Sequence, residues 1–270
     1  SALNNVVKRW IYNAPRKYVV EQAYDENNGV LCGIVSSDKV YEHILSNNPK
    51  NLGDIIEGQS FVIDGMKVTI ISPDVDKLNQ LREKYSNHRP LCKSEIDKAS
   101  VEAGSVMDDY FIPLQKFNLD YFQEDTSVEN ASSIAAVFEY DDKRILWLSD
   151  SVPSVVMKSL FMLGFSETNK MYCDAVLLSH HGSAANNSLA LLRMIQADKY
   201  IISADGMNGH CLPNKETIAR IVSASSNLPV TLYFNYEDGR LIKMFKSDAQ
   251  EDVKSRIDVH YLKDMEAIEF

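Results

Sequence analysis

The chain has 270 residues, 45% hydrophobic and 24% charged, an ordinary globular composition that allows one sizeable core or two small ones. No run of about 18 apolar residues occurs and the N-terminal segment is polar, which argues against a spanning helix and a secretion signal, so a cytoplasmic protein without membrane contact is expected. A formal charge of −10 argues against broad electrostatic binding of nucleic acid, because phosphate contacts need clustered Lys and Arg; a metal-bridged phosphate is still compatible.

Residues 6–12, apolar around Trp10, read as a strand that stops at Asn13-Ala14-Pro15. The spacing of Val40, Ile44 and Leu45 predicts a helix over 39–45, with Ser36, Ser37 or Asp38 at its cap. Residues 59–63 and 66–71 flank Asp64-Gly65, the dipeptide of a tight hairpin. A helix is expected over 74–86. The polar stretch 87–110 lacks periodicity and reads as an insertion or mobile loop.

A second hairpin is expected between 132–140 and 144–148 across Asp141-Asp142-Lys143, leading straight to Asp150. Helices over 154–163 and 189–196 then alternate with strands at 175–178 and 200–202. After a helix over 215–223, a last hairpin is expected between 230–236 and 241–245 at Asp238-Gly239. These elements make one α/β (α+β) domain over 1–248, followed by a charged, weakly periodic extension over 249–270.

Polar residues gather at the ends of three successive apolar runs: Asp150, then His180-His181-Gly182-Ser183, then His210. In open α/β sheets the strand C-termini are where sites collect, and a carboxylate with imidazoles suits Zn²⁺ and related ions. Asp150 equally fits a helix cap ahead of Pro153. At most one of the adjacent histidines shares its direction if the backbone is extended, and loop residue His210 reads as structural at least as well as a ligand. The four cysteines are scattered and read as reduced thiols, while His43, His88 and His260 read as surface.

The succession Asn130-Ala131-Ser132-Ser133, Leu148-Ser149-Asp150, Leu178-Ser179-His180-His181-Gly182-Ser183 and Gly209-His210-Cys211-Leu212-Pro213 resembles metallo-β-lactamase-fold hydrolases of the competence DNA-uptake type. Ser149 stands where that family usually has Gly, and Cys211-Leu212 separates His210 from Pro213. The resemblance implies an αββα sandwich, incomplete in its N-terminal half. It also implies two ions, Zn²⁺ or Mn²⁺, with Asp150 as bridging carboxylate, His180 or His181 as a ligand, and Asn130, Ser183 and His210 lining the substrate.

The family's His-x-His-x-Asp-His cluster occurs nowhere in the 270 residues, and the chain starts Ser1-Ala2-Leu3 without Met. The expectation is therefore the C-terminal part of a hydrolase directed at phosphodiesters or nucleic acid, inactive and weakly or not at all metal-binding as it stands. Its gap would be filled by a missing N-terminal segment or by a homodimer partner. The alternative is a degenerate, non-catalytic interaction domain of the same fold.

Overall fold

The computed structural model describes residues 10–15, 32–47, 53–86, 108–206, 210–263 and 266–269. Its organising element is one mixed sheet of eight strands whose spatial order is the chain order. β1 (Ser60–Ile63) and β2 (Met66–Ser72) form the hairpin expected at Asp64-Gly65; Ile63 pairs with Met66, and both turn residues have positive φ, 48° and 88°. A turn of that hand matches the twist of the flanking strands. β3 (Ala135–Tyr140) and β4 (Lys143–Trp147) close the second hairpin with Tyr140 opposite Lys143, so the turn is Asp141-Asp142 alone and Lys143 already belongs to the strand. Short aspartate side chains tolerate the left-handed region that this tighter turn requires.

From β4 onward the pairing is parallel, through β5 (Met171–Leu177), β6 (Ile195–Ile202), β7 (Val230–Phe234) and β8 (Ile257–Tyr261). The helices are α1 (Cys32–Asn47), α2 (Val75–Ser86), α3 (Val128–Ala131), α4 (Pro153–Met162), α5 (Leu189–Arg193), α6 (Lys215–Ala224) and α7 (Gln250–Arg256). The last four are the crossovers of the parallel strands. Val156 and Leu160 of α4, Leu191 and Leu192 of α5, and Ile218 and Ile221 of α6 form one continuous core with Leu146, Val176, Tyr200 and Leu232 of the sheet. One face of the sheet is thus helix-covered, and the C-terminal ends of β4, β5 and β6 lie side by side at one edge of that layer.

The α/β class is as expected, but several elements differ. Helix α1 spans more than 39–45, and Ser37 and Asp38 sit inside it rather than at a cap. The Tyr12 hydroxyl donates to the Ser37 carbonyl at 2.9 Å, tying this helix to the segment that precedes it. The strand expected over 6–12 falls outside the described residues up to residue 9, and residues 10–14 have no strand. Instead Asn13 docks its carboxamide on the Ile55 backbone, donating to the carbonyl at 2.6 Å and accepting from the N–H at 2.9 Å. The loop expected over 87–110 lies outside the described residues up to residue 107.

Helix α5 ends a turn earlier than the 189–196 pattern suggests, because Ile195, 1% exposed, is taken by β6 opposite Met171. The third expected hairpin is absent. β7 pairs in parallel with β6 and β8, and residues 241–243 form a 3₁₀ turn whose Leu241, like Met244, is completely buried. An i, i+3 pair buried on one side is helical spacing, which the hairpin reading missed. Residues 249–270, set apart in the sequence, contribute α7 and the edge strand β8 to this same sheet. No described helix is long and apolar enough to cross a membrane.

Candidate functional site

Parallel pairing aligns the ends of β4, β5 and β6, and backbone hydrogen bonds carry the register past the strands. The Leu178 N–H donates to Ile201 O at 3.0 Å and the His180 N–H to Ser149 O at 2.7 Å. Seven described non-glycine residues have positive φ. Three are the hairpin aspartates, and the other four are Ser149 (50°), His180 (45°), His181 (56°) and Cys211 (53°), all in the loops at these strand ends. Each left-handed non-glycine residue costs about 1–2 kcal/mol, so strain is concentrated at one end of the sheet, as at sites whose side chains are aimed by the backbone. Gly182 follows with φ 83°, and a Cβ there would lie 2.8 Å from Cβ of Pro213. Both its backbone angle and this close approach demand glycine.

The backbone of the two histidines is left-handed rather than extended, and this turn sends the two imidazoles apart. His181 is exposed, and its Nδ1 meets the carbonyl of Ser203 at the end of β6. A carbonyl only accepts, so Nδ1 carries the proton in the neutral ring. His180 turns toward α3, where its Nδ1 lies 3.1 Å from Oδ1 of Asn186, 3.4 Å from Nδ2 of Asn130 and 3.7 Å from Oδ2 of Asp125. The ring centroids are 6.0 Å apart.

Asn186 and Asn187 are completely buried. Asn187 stitches the loop, accepting from the Ser179 N–H at 3.1 Å and donating at 2.8 Å to the carbonyls of Ser179 and Ser183. Asn130 donates to Asp125 at 2.6 Å and Asn186 does so at 3.1 Å. Burial raises the Asp125 pKa, but hydrogen bonds from Asn130, the Ser127 N–H and Asn186, with help from His180, outweigh it and hold the carboxyl below its ordinary range. Arg220, 2% exposed, locks the outer loop by donating to the carbonyls of Ala184 (2.5 Å), Asn187 (2.9 Å) and Tyr121 (3.3 Å) and to Glu216 (2.5 Å).

Asp125, Asn130, His180, Asn186 and Arg220 line an open crevice of about 840 Å³. Of the residues singled out in the sequence, Asn130, His180, Ser183 and His210 are on its wall; Asp150 and His181 are not. Asp150 reaches the cluster through its backbone, its carbonyl accepting from Asn186 Nδ2 at 3.3 Å. Its helix-capping alternative is overturned. Helix α4 has no cap side chain of its own, and Glu124 serves instead, accepting from the Ser154 N–H at 2.7 Å. Cys211 is buried at 9% exposure.

Sequence reasoning missed Asp125, Asn186 and Arg220. Asp125 lies five residues before Asn130 in a local turn, accepting from the Ser127 N–H at 2.8 Å, and such a residue reads simply as a turn former. The run Asn186-Asn187-Ser188 ahead of α5 was the available signal, since three polar residues between buried elements need partners. Among the described residues no three His, Cys, Asp or Glu side chains converge closely enough to hold a metal ion. Compared with protein-family models, curated proteins and solved structures, the chain matches none.

Proposed function

We propose that this chain carries one wall of a metal-dependent hydrolase site of the metallo-β-lactamase type, directed at phosphodiesters, nucleic acid among them. On this reading most metal ligands come from residues outside this sequence, and the chain alone is inactive. The observation that supports it most is the pair of histidines at the end of β5. Both are anchored through Nδ1 by an acceptor, leaving both Nε2 atoms as donors of a lone pair, the arrangement that orients metal-binding imidazoles. Asp150, at the adjacent end of β4, is the bridging carboxylate of the proposal, with Zn²⁺ or Mn²⁺ as the ions, and Asn130, Ser183 and His210 line the substrate. The crevice wall also holds Glu124, Asp125 and Glu216, while its arginine is engaged by four acceptors. An anionic substrate therefore needs a countercharge brought from elsewhere.

The same reading makes the sheet part of an αββα sandwich. Opposite the helices, Trp147, Leu177, Ile201, Tyr233 and His260 lie in one register row, with Trp147 48% exposed and His260 stacked on Tyr233 at 4.7 Å. That half-open aromatic row also favours a second reading, a non-catalytic interaction domain, with a missing N-terminal segment or a second copy on this face.

One experiment separates the two. The protein is expressed with any residues that precede Ser1 in its reading frame and assayed on a phosphodiester with Zn²⁺ or Mn²⁺. Hydrolysis abolished by Asp150→Asn is the expected result. Activity that survives Asp150→Asn would sink the metal role, and no hydrolysis under any of these conditions would favour the interaction domain.

A further inference from the structure

The geometry points to Asn186 as a positioning residue that fixes the tautomer of His180, with Asp125 holding Asn186 in the required orientation. Nδ2 of Asn186 faces only acceptors: Oδ2 of Asp125 at 3.1 Å, the Asp150 carbonyl at 3.3 Å and the Ser151 carbonyl at 3.5 Å. The nitrogen must therefore lie on that side, and the oxygen on the other, 3.1 Å from Nδ1 of His180. An amide oxygen cannot donate, so Nδ1 carries the hydrogen.

Asn130 does not reverse this. Its Nδ2 is farther from the ring, at 3.4 Å, and already donates to Asp125 at 2.6 Å. The Asp125 carboxylate, 3.7 Å from Nδ1, also favours a proton there. Asn186 is 0% exposed, which shields its oxygen from bulk solvent. The proton on Nδ1 leaves Nε2 as the ring's lone pair, and that atom has no hydrogen-bond partner among the described residues. His180 thus presents an acceptor nitrogen on a crevice wall. Use of that nitrogen as ligand or proton acceptor rests on the hydrolase reading; the tautomer itself does not.

The test is a long-range proton–nitrogen correlation spectrum of the ¹⁵N-labelled protein at about pH 8, above the ordinary histidine range, with His180 assigned by loss of its signals in His180→Gln. The wild type is expected to show a protonated Nδ1 and an unprotonated Nε2. Asn186→Ala is expected to lose that preference, and Asn130→Ala to keep it. A wild-type ring protonated at Nε2 overturns the inference, and so does a tautomer that follows Asn130 instead of Asn186. If Asn186→Ala does not fold, the wild-type and Asn130→Ala spectra still decide. Failure of the hydrolase assay with an intact Nδ1–H tautomer would sink only the reading of function.

Discussion

Three glycines separate backbone strain from steric contact, and Gly182 is predicted to be the one the candidate site cannot lose. In Gly182→Ala the new Cβ occupies left-handed backbone, at about 1–2 kcal/mol, and meets Pro213 Cβ at 2.8 Å. Proline is a ring fused to backbone, so the contact is relieved only by moving the 211–213 loop, an overpacking of about 1–3 kcal/mol. Alanine also narrows the unfolded ensemble, which offsets about 0.4–1 kcal/mol. The net expected loss is about 1–5 kcal/mol. Gly164 at the end of α4 has φ 91° but nothing within 4 Å, so Gly164→Ala bears strain alone, net about 1 kcal/mol. Gly239 has neither constraint, and Gly239→Ala is expected to be neutral or slightly stabilising. Urea unfolding of the three variants beside the wild type gives the order directly. Equal losses for Gly182→Ala and Gly164→Ala would refute the close approach of Gly182 to Pro213, and with it the packing of the His180 turn against the His210 loop.

Two further predictions concern charge. Glu129 accepts from Lys84 at 2.6 Å and from the Tyr85 hydroxyl; burial opposes ionisation, yet these bonds bring its pKa from 4.5 down to about 2. A depressed carboxylate contributes stability above its unfolded pKa and loses it as pH falls from about 4.5 to about 2. Because the pair is 42% exposed, that contribution is discounted to less than about 1 kcal/mol, and Glu129→Gln should flatten the acid limb of a stability–pH curve by that amount. The Lys215 side chain is 0% exposed, ion-paired to Asp248 and donating to Ser247 Oγ at 2.8 Å. Lys215→Met strands a buried carboxylate and should cost about 3–5 kcal/mol, most of it recovered in Lys215→Met/Asp248→Leu; a double variant as unstable as the single would contradict this.

The parts of the fold legible in the sequence are those set by neighbours along the chain. Asp64-Gly65 and Asp141-Asp142 tolerate the positive φ that a two-residue turn requires, so both hairpins could be read, the second with one residue too many in its turn. Of the polar residues expected to gather at the strand ends, His180 and His210 share the crevice wall and Asp150 does not. The alternation of helices and strands over 153–224 was readable because periodicity reports which side of a segment is buried. It does not report what buries it. Leu241 and Met244 looked like strand residues until their i, i+3 burial showed otherwise, and β8 lay hidden in a charged segment because half of an edge strand faces water.

The candidate site divides along the same line. His180, His181, Asn130 and Ser183 are candidates that the sequence alone supplies, by residue type and motif. Only the tertiary structure decided how they are aimed. His180 is bonded by Asn186 and approached by Asp125, which lies 55 residues earlier in the chain, and α6 is capped by Asp109, which accepts from the Lys215 N–H at 2.8 Å across a separation of 106 residues. A hydrogen bond is satisfied by whichever acceptor the folded chain brings within reach, and no local pattern encodes a partner that far away.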